Sequence, residues 1–112
     1  MSRKLGGFKP WLLQRISALY LGLFTLYAFY HFLFAAPQNY YEWMGWVTST
    51  PVMLALLLAI GMTLLHAWIG VRDILIDYIP ITSIRLVVMT LVGLLLSACG
   101  VWALVIFASR LL

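Results

Sequence analysis

The sequence predicts an all-α membrane protein, a single domain over residues 1–112 with three transmembrane helices. It places the N-terminus in the cytoplasm and the C-terminus in the periplasm. Three observations carry that prediction. The chain is 65% hydrophobic and 9% charged, whereas a soluble domain is about 25% charged. Three stretches, 16–41, 43–71 and 86–109, contain no Lys, Arg, Asp or Glu, and each exceeds the ~20 residues that cross a ~30 Å hydrocarbon core. The apolar runs are continuous and lack the two-residue alternation of a barrel strand, so the backbone must be satisfied within helices.

The helices are expected at roughly 14–36, 52–78 and 84–110, with ends free to move by ~2–4 residues. Four basic residues, Arg3, Lys4, Lys9 and Arg15, precede the first. A cleaved signal peptide is a poor alternative there. The apolar run is longer than the ~7–15 residues of a signal core, and cutting after Ala36 would leave Pro37 at the new terminus. Between the first two helices, 37–51 holds Pro37, Asn39, Gly45 and Pro51, which are turn and breaker residues. It also carries Tyr40, Tyr41, Trp43 and Trp46, whose amphipathic rings suit the headgroup zone. The second helix continues through Asp73 and Asp77 until Pro80 stops it, and a short loop over 79–83 leads into the third.

The basic residues set the orientation. Arg3, Lys4, Lys9, Arg15, Arg72 and Arg85 fall on one side of the membrane and Arg110 alone on the other. By the positive-inside rule the N-terminus and second loop are cytoplasmic. The net charge of +4 therefore reports topology and lipid contact, and no nucleic-acid partner is expected. The single cysteine, Cys99, excludes an internal disulfide and reads as apolar filling. Small residues recur at four-residue spacing in Ala55–Ala59, Thr63–Ala67 and Gly93–Ser97, a pattern that permits close helix approach.

The chemistry concentrates in LLHAWIGVRDILIDYIP, residues 64–80. His66 lies about 8 Å inside the apolar span, counted from Val71 at 1.5 Å per residue. On a helix of ~100° per residue, Gly70 falls about 40° from His66, Asp73 about −20° and Asp77 about +20°. All four share a face. An intramembrane histidine must be satisfied by a partner. A hydrogen bond to a carbonyl or hydroxyl of another helix does this. So does axial ligation of a haem, for which Gly70 gives clearance to a large planar group. His31 lies near the opposite end of the first helix, so a bis-histidine haem would take its second ligand from another chain. A four-ligand zinc site lacks donors. Asp73 and Asp77 are either solvated and ion-paired or a proton relay. Tyr78 is either an interfacial anchor or a hydrogen-bond donor to a quinone carbonyl. Arg15 either snorkels as a topology determinant or pairs with a propionate or phosphate.

Taken together these residues resemble a family. The run His66, Ala67, Trp68, Gly70, Asp77 and Tyr78 is similar to the signature of the bacterial succinate dehydrogenase hydrophobic membrane anchor, the D subunit of complex II. The RISA run, Arg15 to Ala18, resembles the R-x-[ST]-A that opens the first helix of that family. Arg72 and Asp73 depart from members with apolar or amide residues there. The resemblance implies a multi-pass protein of the bacterial inner membrane. Its partners would be a cytochrome b-type C subunit, an iron–sulfur subunit and a flavoprotein subunit, with higher oligomers of the complex left open. It implies haem b shared with the C subunit, ubiquinone as substrate, and FAD and iron–sulfur clusters in the partners alone. His66 would be one axial haem ligand and Arg15 a propionate contact. Tyr78 would donate to a ubiquinone carbonyl, supported by Asp77. The chain would serve succinate oxidation in the tricarboxylic acid cycle as a subunit, without independent catalysis. The competing reading is a haem-free structural anchor such as that of a fumarate reductase.

Overall fold

The structure is a computed structural model that describes the backbone of residues 2–111 and the side chains of 8–110. The side chains of Arg3 and Lys4, which count toward the expected orientation, lie outside the described residues. Four helices follow in order: α1 (Ser2–Phe34), α2 (Tyr40–Val47), α3 (Thr50–Tyr78) and α4 (Thr82–Leu111). Segments Phe8–Phe34, Thr50–Tyr78 and Thr82–Arg110 are each long and apolar enough to cross a membrane. At 1.5 Å per residue they extend about 40–44 Å, so every one outruns the hydrocarbon core.

Two elements differ from the sequence expectation. α1 begins at Ser2 and carries Pro10 inside it. The charged residues of the N-terminal segment mark where the apolar run starts, and the helix does not stop there. The second difference is α2, which occupies most of a stretch expected to be loop. Asn39 caps it: the side-chain oxygen accepts the Glu42 N–H at 2.9 Å. The Glu42 carboxylate in turn accepts the Gln38 N–H at 2.7 Å. An Asn followed three residues on by Glu is a helix-start arrangement, whereas residue type alone marks Asn39 as a turn residue.

α2 is fastened to the end of α1 by rings. His31 and Trp46 stack with centroids 4.2 Å apart and planes 7° apart. The Trp46 Nε1–H donates to the Tyr27 hydroxyl at 3.2 Å. His31 is thus a packing residue at the end of α1 opposite its N-terminus.

α3 is the middle helix. It packs against α1, α2 and α4, and among the described residues the backbones of α1 and α4 do not approach each other. The chain measures 52 × 26 × 21 Å with a radius of gyration of 17.5 Å, against roughly 13 Å for a globular domain of this length. It is an open layer of helices. Its buried side chains among the described residues are Val52, Ala59, Ile69, Leu75 and Ser17. With little hydrophobic force between helices in lipid, close packing relies on small residues. A Cβ at Gly93 would sit 3.5 Å from the Trp68 ring, and one at Gly100 would sit 3.1 Å from Leu64 Cδ1. On the other side of α3, the Tyr20 hydroxyl donates to the Ala55 carbonyl at 2.6 Å.

Candidate functional site

The site forms where the first half of α1 faces the second half of α3. Trp11, Gln14, Arg15 and Ala18 stand at i, i+3, i+4 and i+7, which is one stripe of a helix. His66 and Asp73 are seven residues apart on α3 and therefore also share a face. These six residues line a half-open cavity of about 430 Å³.

At one wall of the cavity His66 meets Ser17. The Ser17 Oγ lies 2.9 Å from His66 Nδ1 and donates its proton to the Gln14 carbonyl at 3.0 Å. Ser17 is 0% exposed, so water does not compete for this bond. Anchoring through Nδ1 leaves Nε2 as the free nitrogen of the ring.

Charge and unmet polarity gather beside it. The Arg15 guanidinium lies over the Trp11 ring, 5.6 Å from its centroid, a cation–π arrangement. Asp73 reaches Arg72 across 3.8 Å, and more than half of its side chain is exposed. The Gln14 Oε1 is buried without a hydrogen-bond partner, which is uncommon for an amide oxygen. Gly70 explains how Gln14 fits there, because a Cβ at Gly70 would lie 3.3 Å from the Gln14 Nε2. The space beside Gly70 is thus taken by the far end of a flexible side chain.

The sequence model of the succinate dehydrogenase/fumarate reductase transmembrane subunit matches residues 6–104, a span that contains the whole cavity. The chain belongs to this family. It is similar to the succinate dehydrogenase hydrophobic membrane anchor subunit of Coxiella burnetii, with 36% identity over 97 residues, 87% of this chain and 84% of that one. The corresponding subunit of Rickettsia felis is 29% identical over 92 residues, 81% of this chain and 76% of that one. That of Rickettsia bellii is 34% identical over 80 residues, 70% and 63% of the two chains. Three apolar helices together with these relatives make the chain a multi-pass inner-membrane protein.

In this transmembrane subunit the expected site residues divide into two groups. His66, Gly70 and Arg15 come together at the α1–α3 cleft. Asp77 and Tyr78 stand apart at the end of α3, roughly 18 Å along the helix from His66 by residue count. Both are exposed, Tyr78 at 79%. The Arg85 guanidinium secures the turn just beyond them by donating to the Ile79 carbonyl at 3.3 Å. Sequence reasoning passed over Gln14 and Trp11, and met Ser17 only as a member of the RISA run. The i, i+3, i+4, i+7 spacing of Trp11, Gln14, Arg15 and Ala18 was the available signal, and it was hidden by treating Arg15 alone.

Proposed function

We propose that the chain is the membrane anchor subunit of a succinate:ubiquinone oxidoreductase. In that role it helps hold haem b and ubiquinone, and attaches the flavoprotein and iron–sulfur subunits to the inner membrane beside a cytochrome b-type C subunit. Family membership and similarity to succinate dehydrogenase anchors support the assembly role. The observation that carries the cofactor reading is the His66 imidazole, tied through Nδ1 to a buried hydroxyl at the wall of a cavity that also contains Arg15.

The residues present fit a haem. A neutral imidazole offers one lone pair, and here it belongs to the untied Nε2. Arg15 supplies a fixed positive charge for a propionate. The cavity is half-open, which would suit a group shared with a second chain. Gly70 lets the wall recede once Gln14 swings aside. The bound group would supply one-electron redox chemistry. The chain itself provides the ligand atom, the counter-charge and the apolar surround.

Quinone chemistry belongs to the other group of residues. With the N-terminus cytoplasmic, Asp77 and Tyr78 sit at the cytoplasmic edge. There the Tyr78 hydroxyl can donate to a ubiquinone carbonyl, and Asp77 can hold and pass protons from water. Quinone reduction consumes two protons for two electrons, so the wet end of α3 is the suitable place. FAD and iron–sulfur clusters lie in the partners, and succinate oxidation occurs there.

The test is a reduced-minus-oxidised optical spectrum of the assembled complex, with and without His66→Ala. A b-type band that is lost or altered by the substitution supports the reading. A wild-type complex with no such band favours a haem-free structural anchor of the fumarate reductase kind.

A further inference from the structure

We propose that Ser17 is a positioning residue for the axial imidazole: it fixes the tautomer and the ring orientation of His66 so that Nε2 is the nitrogen presented to iron. The proposal rests on the reading of His66 as a haem ligand.

The argument is one of proton accounting. A serine hydroxyl has a single proton and two lone pairs. Two acceptors lie within its reach: the Gln14 carbonyl at 3.0 Å, within α1, and, in one of the two neutral tautomers of the ring, His66 Nδ1. With the proton on the Gln14 side, the Ser17 oxygen presents a lone pair toward His66 Nδ1, 2.9 Å away, and Nδ1 carries the hydrogen. A neutral imidazole with its hydrogen on Nδ1 keeps the lone pair on Nε2. The opposite arrangement, with Ser17 donating to Nδ1, would put a hydrogen on Nε2 and block ligation. Complete burial of Ser17 removes water as a substitute acceptor.

The bond also acts on the ring's electronics. An Nδ1–H that donates to an oxygen makes Nε2 more basic and favours the ferric over the ferrous state of a ligated iron. Losing the acceptor should therefore raise the haem midpoint potential. Losing such an outer partner also weakens metal binding, typically by about 10–100-fold. A plain packing role for Ser17 predicts neither change in potential nor change in the ferric signal.

The experiment compares Ser17→Ala, Ser17→Cys and Ser17→Thr in the assembled complex, purified in mild detergent. Three quantities are read: haem per flavin, the low-spin ferric electron paramagnetic resonance signal, and the midpoint potential by redox titration. Ser17→Ala should raise the potential, alter the ferric signal and lower haem content. Ser17→Cys keeps nearly the same size with a poorer acceptor, and should move the potential the same way by less. Ser17→Thr keeps the hydroxyl and should match the wild type. Wild-type potential and ferric signal in both the Ala and Cys variants overturn the proposal, as do equal shifts in the Ala and Thr variants. If Ser17→Ala does not assemble, Ser17→Cys against Ser17→Thr decides alone. The premise has its own control. A b-type signal left unaltered by His66→Ala overturns the ligand reading and the proposal with it. An altered signal in that variant beside silent Ser17 variants overturns the proposal alone.

Discussion

If the chain holds haem as proposed, replacing Gly70 by a residue large enough to fill the cleft should expel it, and replacing it by alanine should not. The first step is nearly free. A Cβ at position 70 would lie 3.3 Å from the Gln14 Nε2, a few tenths of an ångström inside ordinary contact. The atom it meets ends a flexible side chain, which can yield. Alanine also gains about 1 kcal/mol over glycine in helix propensity. Gly70→Ala should therefore stay within about 1 kcal/mol of the wild type and keep its haem. Gly70→Leu is different. Its branched end must either enter the 430 Å³ cavity itself or push the Gln14 amide into it. Overpacking of this kind costs about 1–3 kcal/mol. Charged against cofactor binding, that is roughly 5–150-fold weaker haem retention. The assay is the haem-to-flavin ratio of the purified complex, with the amplitude of the b-type difference band as a second readout. Full haem in Gly70→Leu would show that the space beside Gly70 is not where the macrocycle passes. Equal loss in the alanine and leucine variants would show that bulk is not the controlling quantity.

Two further outcomes follow from other parts of the chain. Tyr78→Phe should slow ubiquinone reduction by on the order of 10-fold, the worth of about one hydrogen bond, while succinate oxidation by an artificial dye stays intact. Parallel loss in both assays, or no loss in either, would rule out Tyr78 as a carbonyl donor. Asn39→Ala should destabilise the start of α2 by about 1 kcal/mol. Hydrogen exchange at Glu42, whose N–H loses its acceptor, should then speed up while exchange in α3 is unchanged. An unaltered rate would mean that the aromatic contacts of Trp46 hold α2 without the cap.

The long helices were legible because lipid imposes a simple rule on sequence. A stretch of more than 20 residues without charge can satisfy its backbone in only one way, and α3 and α4 begin within two residues of expectation. α2 was not legible by the same rule. It is eight residues long, too short for a periodicity to emerge, and its start is written in the pair Asn39 and Glu42. At the site, the shared face of His66, Gly70 and Asp73 could be computed from helix geometry alone. Their partners could not. Which stripe of α1 meets that face depends on helix rotation and register, and neither is encoded in composition. Ser17 is the clearest case. In sequence it is a small polar residue of the RISA run, and only the approach of α3 makes it the hydrogen-bond partner of an imidazole 49 positions away.

That separation has a consequence for how the protein is made. Chains grow at about 5–20 residues per second, so Ser17 is synthesised roughly 2–10 s before His66 exists. During that interval α1 has no α3 beside it. The hydroxyl is not stranded, because its proton already has an acceptor in its own helix, the Gln14 carbonyl. The first helix can therefore rest in lipid with its polar group satisfied. When the second long helix arrives, the His66 imidazole finds a hydroxyl already in place.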